Sequence, residues 1–320
     1  MENVLKEPSM NFVKSLVVGR NEICDFSSIQ EALNSCRNED GLLKITVLSG
    51  EYYENITLYQ SNISLIGIGS VKVIGNRYAL QKDEHLREIG TFQSATLFIN
   101  GENIRLENLE IINNAGPGEK VGQALALYSE GNNVTFKNCS FKGYQDTICL
   151  GPLPELQKNG QPFSTPEIRT IYEENKNHFI SCYIEGTVDF IFGGGEAAFQ
   201  CCQIKSLKRS LNKEGYITAA STSKNKKGFY FDQCYLTADA DVTNVFLGRP
   251  WRPYAKTTFT KCIVGSHIHH DRWHDWGNIA NRKTVTYKEN NNRYTFHNEM
   301  KTVDWIDFKQ SRFIGKEYGE

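Results

Sequence analysis

The segment CSFKGYQD at residues 139–146 is repeated as CYIEGTVD at residues 182–189, with cysteine, glycine and aspartate at identical offsets. A phenylalanine precedes each cysteine by three residues. Repeated spacing indicates repeated backbone geometry, as in proteins built from stacked coils. If the two copies are neighbouring coils, parallel strand pairing places the backbones of Asp146 and Asp189 about 4.8 Å apart. Two carboxyl groups that close cannot both ionise easily, so the pair can divide into an acid and a base.

The same frame continues on both sides of this repeat. Phe-x-x-Cys-x-apolar recurs from Phe199, Phe231 and Phe259, and a version without cysteine begins at Leu106. The positions equivalent to cysteine are 20 to 43 residues apart, which suits a solenoid whose coils carry loops of unequal length. Asn or Gly flanks most of the apolar runs and supplies turns between short strands. We therefore predict an all-β fold, a right-handed single-stranded parallel β-helix (solenoid) of about seven to ten coils.

A short N-terminal capping helix is also predicted. Ser28 stands three residues before Glu31, which is the spacing of a capping box. Ile29, Leu33 and Cys36 then lie on one helical face. A solenoid needs such a cap, because an open end leaves unpaired backbone groups and exposed apolar side chains. We expect this helix to cover the first coil.

Length and composition favour a single domain over residues 1–320. With 39% hydrophobic residues the chain can bury a large core, and no break in composition marks a second domain. The segment between the two aspartate motifs is long and rich in proline and glycine. We therefore expect an inserted loop at about residues 150–177, and a C-terminal loop and tail at about residues 265–320.

Charge and hydropathy bear on partners and location. The net charge of −1 argues against a protein that binds nucleic acid, and the chain has no run of about 18 apolar residues that could span a membrane. The N-terminal segment lacks the basic and apolar regions of a signal peptide. We expect a cytoplasmic protein as the sequence is written, a secreted one if the chain is a processed form, and a monomer.

The nine cysteines are predicted to be packing residues. An odd count and the lack of a CxxC pair argue against disulfides and zinc, and many reduced thiols favour a reducing compartment. A free cysteine behaves as a small apolar side chain. Five cysteines share one inward position of the repeat, namely Cys139, Cys182, Cys202, Cys234 and Cys262.

A histidine-rich segment offers the other set of possible metal ligands. It runs from His267 to His274 and also holds His269, His270 and Asp271. Its spacing matches no helical zinc motif such as HExxH, and it follows the last predicted coil. We predict a polar loop here and no metal site.

The repeated aspartates allow two interpretations. Aspartate after glycine is common in turns, where it bonds to its own backbone. The shared register favours function instead, because a like-charge pair costs stability unless something compensates. Gln123 and Gln145 add neutral amide donors that can stabilise an oxyanion. Arg249 can keep one carboxylate ionised through a charge-assisted hydrogen bond.

Taken together, these motifs closely resemble the signatures of pectin methylesterases. The resemblance rests on GYQDT at residues 143–147, GTVDFIFG at 186–193 and LGRPW at 247–251, with QALAL at 123–127 upstream. It extends from residue 28 to residue 276, most of the chain. It implies a right-handed parallel β-helix that hydrolyses the galacturonate methyl ester of pectin.

The resemblance also implies the catalytic roles. Asp189 would be the nucleophile that attacks the C6 ester carbonyl, and Asp146 the general acid that later acts as base toward water. Gln123 and Gln145 would form the oxyanion hole. Arg249 would orient Asp189 and keep it ionised. This chemistry requires no metal and no organic cofactor.

Substrate contacts follow from the same resemblance. Phe192, Trp251 and Trp273 would contact the sugar rings, with Gln123 and Arg249 as further binding residues. The implied substrate is methyl-esterified pectin or its oligogalacturonides. Two departures stand out: Cys149 occupies a site where many relatives have an aromatic side chain, and the loop at about 150–177 is long. A loop beside the cleft would favour short oligosaccharides over long polymers.

Two other functions compete with this interpretation. A β-helical pectate lyase would use stacked acids to bind calcium and a basic residue to abstract the C5 proton. Asp146, Asp189 and Arg249 could serve in that way. A noncatalytic carbohydrate-binding β-helix would use Trp251 and Trp273 to hold sugar. A serine esterase is disfavoured, because the chain has no G-x-S-x-G elbow.

Overall fold

The computed structural model describes residues 14–36, 41–209 and 213–295. The ends of the expected domain, and the expected tail beyond residue 295, lie outside these residues. Within these ranges the chain forms two short helices, α1 (Ile29–Ser35) and α2 (Gly118–Val121), with 3₁₀ turns at Phe92–Ser94 and Ile279–Lys283. Among the described residues, no helix is long and apolar enough to cross a bilayer.

Nearly all other regular structure consists of short strands. They are β1 (Lys14–Val18), β2 (Leu43–Tyr52), β3 (Ile56–Leu58), β4 (Ile63–Gly75), β5 (Leu97–Ile99), β6 (Glu102–Glu107), β7 (Glu110–Asn113), β8 (Leu127–Ser129), β9 (Asn132–Lys137), β10 (Ser140–Lys142), β11 (Ile148–Leu150), β12 (Lys176–Ile180), β13 (Tyr183–Gly186), β14 (Ile191–Gly193), β15 (Glu196–Gln200), β16 (Gln203–Ser206), β17 (Gly215–Ala220), β18 (Phe229–Asp232), β19 (Tyr235–Ala238), β20 (Val245–Gly248), β21 (Lys256–Thr260), β22 (Ile263–Val264), β23 (Thr286–Asn290) and β24 (Arg293–Tyr294).

These strands stack in parallel on three faces. One face runs from β1 through β2, β4, β6, β9, β12, β15, β18 and β21 to β23. The second runs from β7 through β10, β13, β16, β19 and β22 to β24. The long strands β2 and β4 take part in both, so the two faces form one 17-stranded sheet. The third face is a seven-stranded sheet in the order β3-β5-β8-β11-β14-β17-β20. This is the predicted parallel β-helix.

Single residues turn the corner between the first and second faces. The residue between the paired strands has a left-handed conformation with φ of +52 to +54° in each case. Asparagine tolerates this conformation better than most residues, yet other residue types also occupy the corner. The corner residues are Asn108, Asn138, Ser181, Cys201, Gln233, Lys261 and Asn291.

The interior repeats the same side chains from coil to coil. Neighbouring phenylalanine rings are stacked with centroids 4.3 to 4.7 Å apart in a column formed by Phe136, Phe179, Phe199, Phe231 and Phe259. Beside them the five repeated cysteines are buried, and each Sγ lies 3.3 to 3.7 Å from a carbonyl oxygen of an adjacent coil. All nine cysteines are free thiols. The structure thus confirms that the repeated cysteines are packing residues.

The capping helix agrees with its sequence pattern. Ser28 is the N-cap of α1, and its side chain accepts a hydrogen bond from the Glu31 backbone N–H at 3.2 Å. Ile29, Leu33 and Cys36 are buried. The helix packs against β1, β2 and β3, the terminal strands of the stack. Its apolar face therefore covers the first coil.

The first of the two expected loop regions is a loop in the structure, whereas the second contains further regular structure. Strand β11 ends at Leu150 and β12 begins at Lys176, so a loop of residues 151–175 does separate the two aspartate coils. The expected C-terminal loop needs a partial correction, because residues 279–283 form a 3₁₀ turn and β23 and β24 add another coil to both faces. Their sequences lack the repeated Phe and Cys, which is why the frame missed them.

Candidate active site

Asp146 and Asp189 occupy equivalent positions in adjacent coils. Strand β10 pairs with β13 and β11 pairs with β14 at one constant offset in sequence, the same offset that separates the two aspartates. The Asp146 N–H donates to the Val188 carbonyl at 3.0 Å. Both aspartates have left-handed backbones, with φ of +64° and +49°. The two turns join the second face to the third in adjacent coils near the middle of the stack, and they therefore place the two carboxyl groups next to each other.

Glycine at the third position before each aspartate allows these turns to pack. A Cβ on Gly186 would lie 2.2 Å from the Phe190 Cβ and 2.8 Å from Thr147 Oγ1. Thr147 Oγ1 also donates to the Glu185 carbonyl at 2.9 Å and so ties the two coils together. A larger residue at position 186 would displace the turn that carries Asp189.

Arg249 holds Asp189 through two parallel hydrogen bonds. Its Nε donates to Oδ1 at 2.8 Å and its Nη2 donates to Oδ2 at 2.6 Å. The guanidinium lies between two aromatic rings, with its carbon 3.9 Å from the Tyr216 centroid and 3.8 Å from that of Trp276. A planar fork held in this way fixes the carboxylate in one orientation.

The two buried carboxyl groups differ in electrostatic environment. Burial raises the pKa of Asp146 well above its usual value, and the neighbouring Asp189 charge raises it further. Burial also raises the pKa of Asp189, but the hydrogen bonds and charge of Arg249 oppose that shift. These opposing influences favour the proton on Asp146 and the ionised form of Asp189.

Both aspartates open into a cavity of about 380 Å³ on the outer side of the seven-stranded sheet. Its volume is within the range of single small-molecule sites. It is lined by Gly90, Thr91, Phe92, Gln123, Gln145, Asp146, Gln157, Phe163, Ser164, Asp189, Phe192, Ala219, Arg249, Trp251 and Trp276. The structure thus brings together seven of the eight residues selected from the sequence.

Trp273 is the exception. Its ring stacks on Tyr287, with centroids 4.1 Å apart, and packs toward Phe259 on the core side. It does not line the cavity, which corrects the expected sugar contact. Trp276, three residues later, lines the cavity and stacks on Arg249. The backbone of residue 276 is left-handed, with φ of +62°, so sequence spacing alone could not decide which tryptophan faces the site.

Several other residues of the site had no signal in the sequence. Phe92 and Phe163 come from separate loops and meet edge to face at 5.3 Å. Tyr216 supports Arg249 from the outer surface and stacks on Phe246 at 5.4 Å. These residues belong to no repeated motif, so only the folded chain identifies them.

Neither Cys149 nor the histidines contribute to the cavity lining. Cys149 is the buried middle residue of β11 and packs with Phe192 and Tyr128 in an apolar cluster. His269, His270 and Asp271 could each offer a ligand atom within 4.8 Å of the others. The His269 ring is packed on Phe246, however, and its Nδ1 accepts from the Asp271 N–H. His269 therefore takes part in ring packing and in a local hydrogen bond of this segment.

Comparison with known proteins identifies the family of the chain. The pectinesterase family model matches residues 15–151 and 169–316. Putative pectinesterase 14 of Arabidopsis thaliana is 28% identical over 99% of this chain and 91% of its own length. Probable pectinesterase/pectinesterase inhibitor 12 of the same plant is 32% identical over 92% of this chain, which spans about half (51%) of that relative.

Solved structures agree on the fold. The pectin methylesterase from carrot superimposes with a TM-score of 0.73 at 22% identity, covering 94% of this chain and 88% of that one. This likeness supports the parallel β-helix predicted from the repeat. The segments that the family model matches include the coils that carry Asp146 and Asp189. The matched family is one of esterases, not of lyases. The chain belongs to the pectinesterase family of carboxylic ester hydrolases.

Proposed function

We propose that this protein hydrolyses the C6 methyl esters of galacturonate in methyl-esterified pectin or its oligomers, using Asp189 as nucleophile and Asp146 as general acid and base. The observation that carries the proposal is the asymmetry of the pair. Asp189 is fixed by two hydrogen bonds from Arg249, whereas burial and the Asp189 charge favour the protonated form of Asp146. An ester needs both a nucleophile and a proton donor for its leaving group.

In the acylation step, a carboxylate oxygen of Asp189 attacks the C6 carbonyl carbon. The tetrahedral intermediate then breaks its bond to the methoxy oxygen, which takes the proton from Asp146 and leaves as methanol. The product is an anhydride between C6 and Asp189. Gln123 and Gln145 line the cavity on the Asp146 side and supply amide donors for the oxyanion.

In the deacylation step, Asp146 is ionised and accepts a proton from water. The resulting hydroxide attacks C6 and releases Asp189 as a carboxylate, which yields free galacturonate. The proton that Asp146 gains in this step restores the starting enzyme. Arg249 remains paired with Asp189 and limits its motion between the two steps.

Aromatic rings provide surfaces for the sugar. Phe192 lies on the cavity floor, and Trp251 meets it at 5.6 Å with an interplanar angle of 67°. Trp276 replaces Trp273 as the third aromatic contact in this proposal. Rings at an angle to one another can contact the apolar faces of a sugar while its hydroxyl groups reach the polar rim.

Methanol release from methyl-esterified pectin and from methyl-esterified oligogalacturonides, with EDTA present, tests this proposal. We expect methanol and free carboxylate in equal amounts and no unsaturated uronate. Calcium-dependent formation of an unsaturated product would support the lyase instead. Binding of the oligomers with neither product would support a noncatalytic sugar-binding protein.

A further inference from the structure

The outer face of the seven-stranded sheet is divided into an open part and a covered part. The middle residues of its strands point outward and form a row, of which Phe192 on β14 and Ala219 on β17 line the cavity. The preceding members of the row are Phe98 on β5, Tyr128 on β8 and Cys149 on β11. All three are buried and none of them lines the cavity.

The loop of residues 151–175, termed here the cover loop, closes the second part. Its side chains Leu153, Phe163 and Ile168 pack against the apolar cluster that contains this row. At its base, the carboxyl of Glu130 is buried, accepts a hydrogen bond from the Tyr128 hydroxyl at 2.5 Å and is also bonded to the Leu153 backbone. The loop is therefore seated on the sheet by apolar contacts and by buried hydrogen bonds.

One end of the cover loop is fixed over the β3 and β5 coils. Asn100 accepts hydrogen bonds from the backbone N–H groups of Arg169 and Thr170 at 2.8 and 3.0 Å. The Arg169 guanidinium lies 3.6 Å from the Tyr59 ring centroid. Gln93 donates to the Thr165 carbonyl at 2.5 Å.

The other end reaches the C-terminal side of the cavity. Arg252 donates to the Leu156 carbonyl at 2.9 Å, and Lys158 Nζ lies 4.9 Å from the Trp276 ring centroid. Phe163 meets Trp251 at 5.9 Å. The cover loop thus crosses the sheet face from the β3 side to the β20 side and forms a wall of the cavity.

Most of the cover loop lies outside the segments that the family model matches. The family model leaves residues 152–168 unmatched, and these residues include the Phe163 wall and both contacts to the C-terminal side. The wall therefore lies outside the segments that the family model matches, whereas the carboxylate pair lies within them. Such a loop can change the length of substrate that an enzyme accepts without changing the reaction that it catalyses.

We propose that the cover loop stops the substrate chain at the cavity, so that the protein acts on short methyl-esterified oligogalacturonides or on chain ends and not within long pectin. The inference rests on the proposed esterase function. A polymer lying along the sheet would have to pass over β11, β8 and β5, where the cover loop occupies the outer face. A chain end can instead abut Phe163 and Phe92 while its ester reaches Asp189.

The decisive measurement uses the unaltered protein. We expect kcat/KM per methyl ester to be at least about tenfold higher for oligomers of three to six residues than for pectin of matched esterification. Mass spectrometry of a hexamer labelled at its reducing end should place the first ester lost at a fixed distance from one end. Equal rates on oligomer and polymer, or random positions of the first loss, would overturn the proposal. No methanol from any substrate would overturn the esterase function itself.

A loop variant tests the cause. Phe163→Ser combined with replacement of residues 155–162 by Gly-Gly removes the Phe163 wall and the contacts to Arg252 and Trp276 but keeps Leu153 and Ile168 on the sheet. We expect the polymer-to-oligomer ratio of kcat/KM to rise by about threefold or more. The control is Ile171→Ser, in the same loop at a side chain that is 92% exposed, which should leave the ratio unchanged. A folded loop variant with the parent ratio would overturn the assignment; if the variant does not fold, the measurements on the unaltered protein decide.

Discussion

The turn that carries Asp146 and the turn that carries Asp189 have similar backbone conformations but different surroundings. Each follows a glycine by three residues, and each aspartate is left-handed. Asp189 is paired with Arg249, whereas the side-chain hydrogen bond to Asp146 comes from the neutral Gln145. Stacking therefore decides where the two carboxyl groups lie, and side chains from more distant coils decide which one carries the proton.

The largest effect should come from Asp189→Asn, which removes the nucleophile and keeps the shape. We expect kcat for methanol release to fall by about 10⁴-fold or more. Asp241→Asn is the matched control, because Asp241 is an exposed aspartate with a left-handed backbone away from the cavity. Substantial residual activity in Asp189→Asn, with the same fold by circular dichroism, would contradict the role of Asp189.

Asp146→Asn should have the next largest effect, because an amide cannot protonate the leaving group. We expect kcat to fall by about 10²- to 10⁴-fold. The unaltered protein should have a bell-shaped pH profile, since activity needs Asp189 ionised and Asp146 protonated. Its high-pH limb reports loss of the raised-pKa proton of Asp146 and should disappear in the variant. An intact high-pH limb in Asp146→Asn would assign the proton donor elsewhere.

Arg249→Lys makes the surroundings of Asp189 more like those of Asp146. Lysine keeps the charge but loses the planar fork and the stacking on Tyr216 and Trp276. We expect kcat to fall by about 10²-fold, as for a misplaced reacting group. The low-pH limb should move to higher pH, because Arg249 opposes the rise in the Asp189 pKa that burial causes. A low-pH limb that stays in place would show that the arginine only orients the carboxylate.

The smallest effect is the effect of Asp146→Asn on stability. This substitution should lower activity but raise the stability of the folded protein at high pH. The folded-state pKa of Asp146 is raised, so its stabilising contribution is present below the unfolded pKa and is lost as pH rises through the folded value. Asn does not titrate. We expect Asp146→Asn to unfold at the same temperature as the unaltered protein near pH 3.5, and to be more stable at pH 8 by about 1 kcal/mol, roughly 2–4 °C. Equal melting temperatures of the two proteins at both pH values would mean that ionisation of Asp146 does not destabilise the folded state.

The interior of the solenoid was the easiest part to predict. The Phe and Cys columns repeat in sequence because each coil meets the same neighbours above and below, as Phe179 meets Phe136 and Phe199. The capping helix was predictable from the local pair Ser28 and Glu31, although Glu54, outside that pattern, also accepts hydrogen bonds from the Ser28 hydroxyl and from the first N–H groups of the helix. The last coil was missed because β23 and β24 complete the stack with other side chains.

The rim of the cavity was predicted less well. Phe92, Phe163 and Trp276 come from loops of unequal length, where no period links a residue to its neighbour in space. Trp273 was chosen in place of Trp276, and only the left-handed backbone and the stacking on Arg249 separate the two. The loop at 151–175 was expected, but its path across the sheet face was not.

The sequence by itself determined the coil, the stacking of Asp146 on Asp189 and the resemblance to the esterase family, because a repeated motif in a solenoid repeats its backbone and its neighbours. The pairing of Arg249 with Asp189 was implied by the resemblance and is present in the structure. The tertiary structure alone decided which tryptophan faces the cavity and where the cover loop closes the outer face of the sheet. The Arg249–Asp189 pair joins residues 60 positions apart, and the hydrogen bond from Tyr59 to Glu167 of the cover loop joins residues 108 positions apart. No local pattern encodes them, because they form only when coils and loops of different lengths have been packed together.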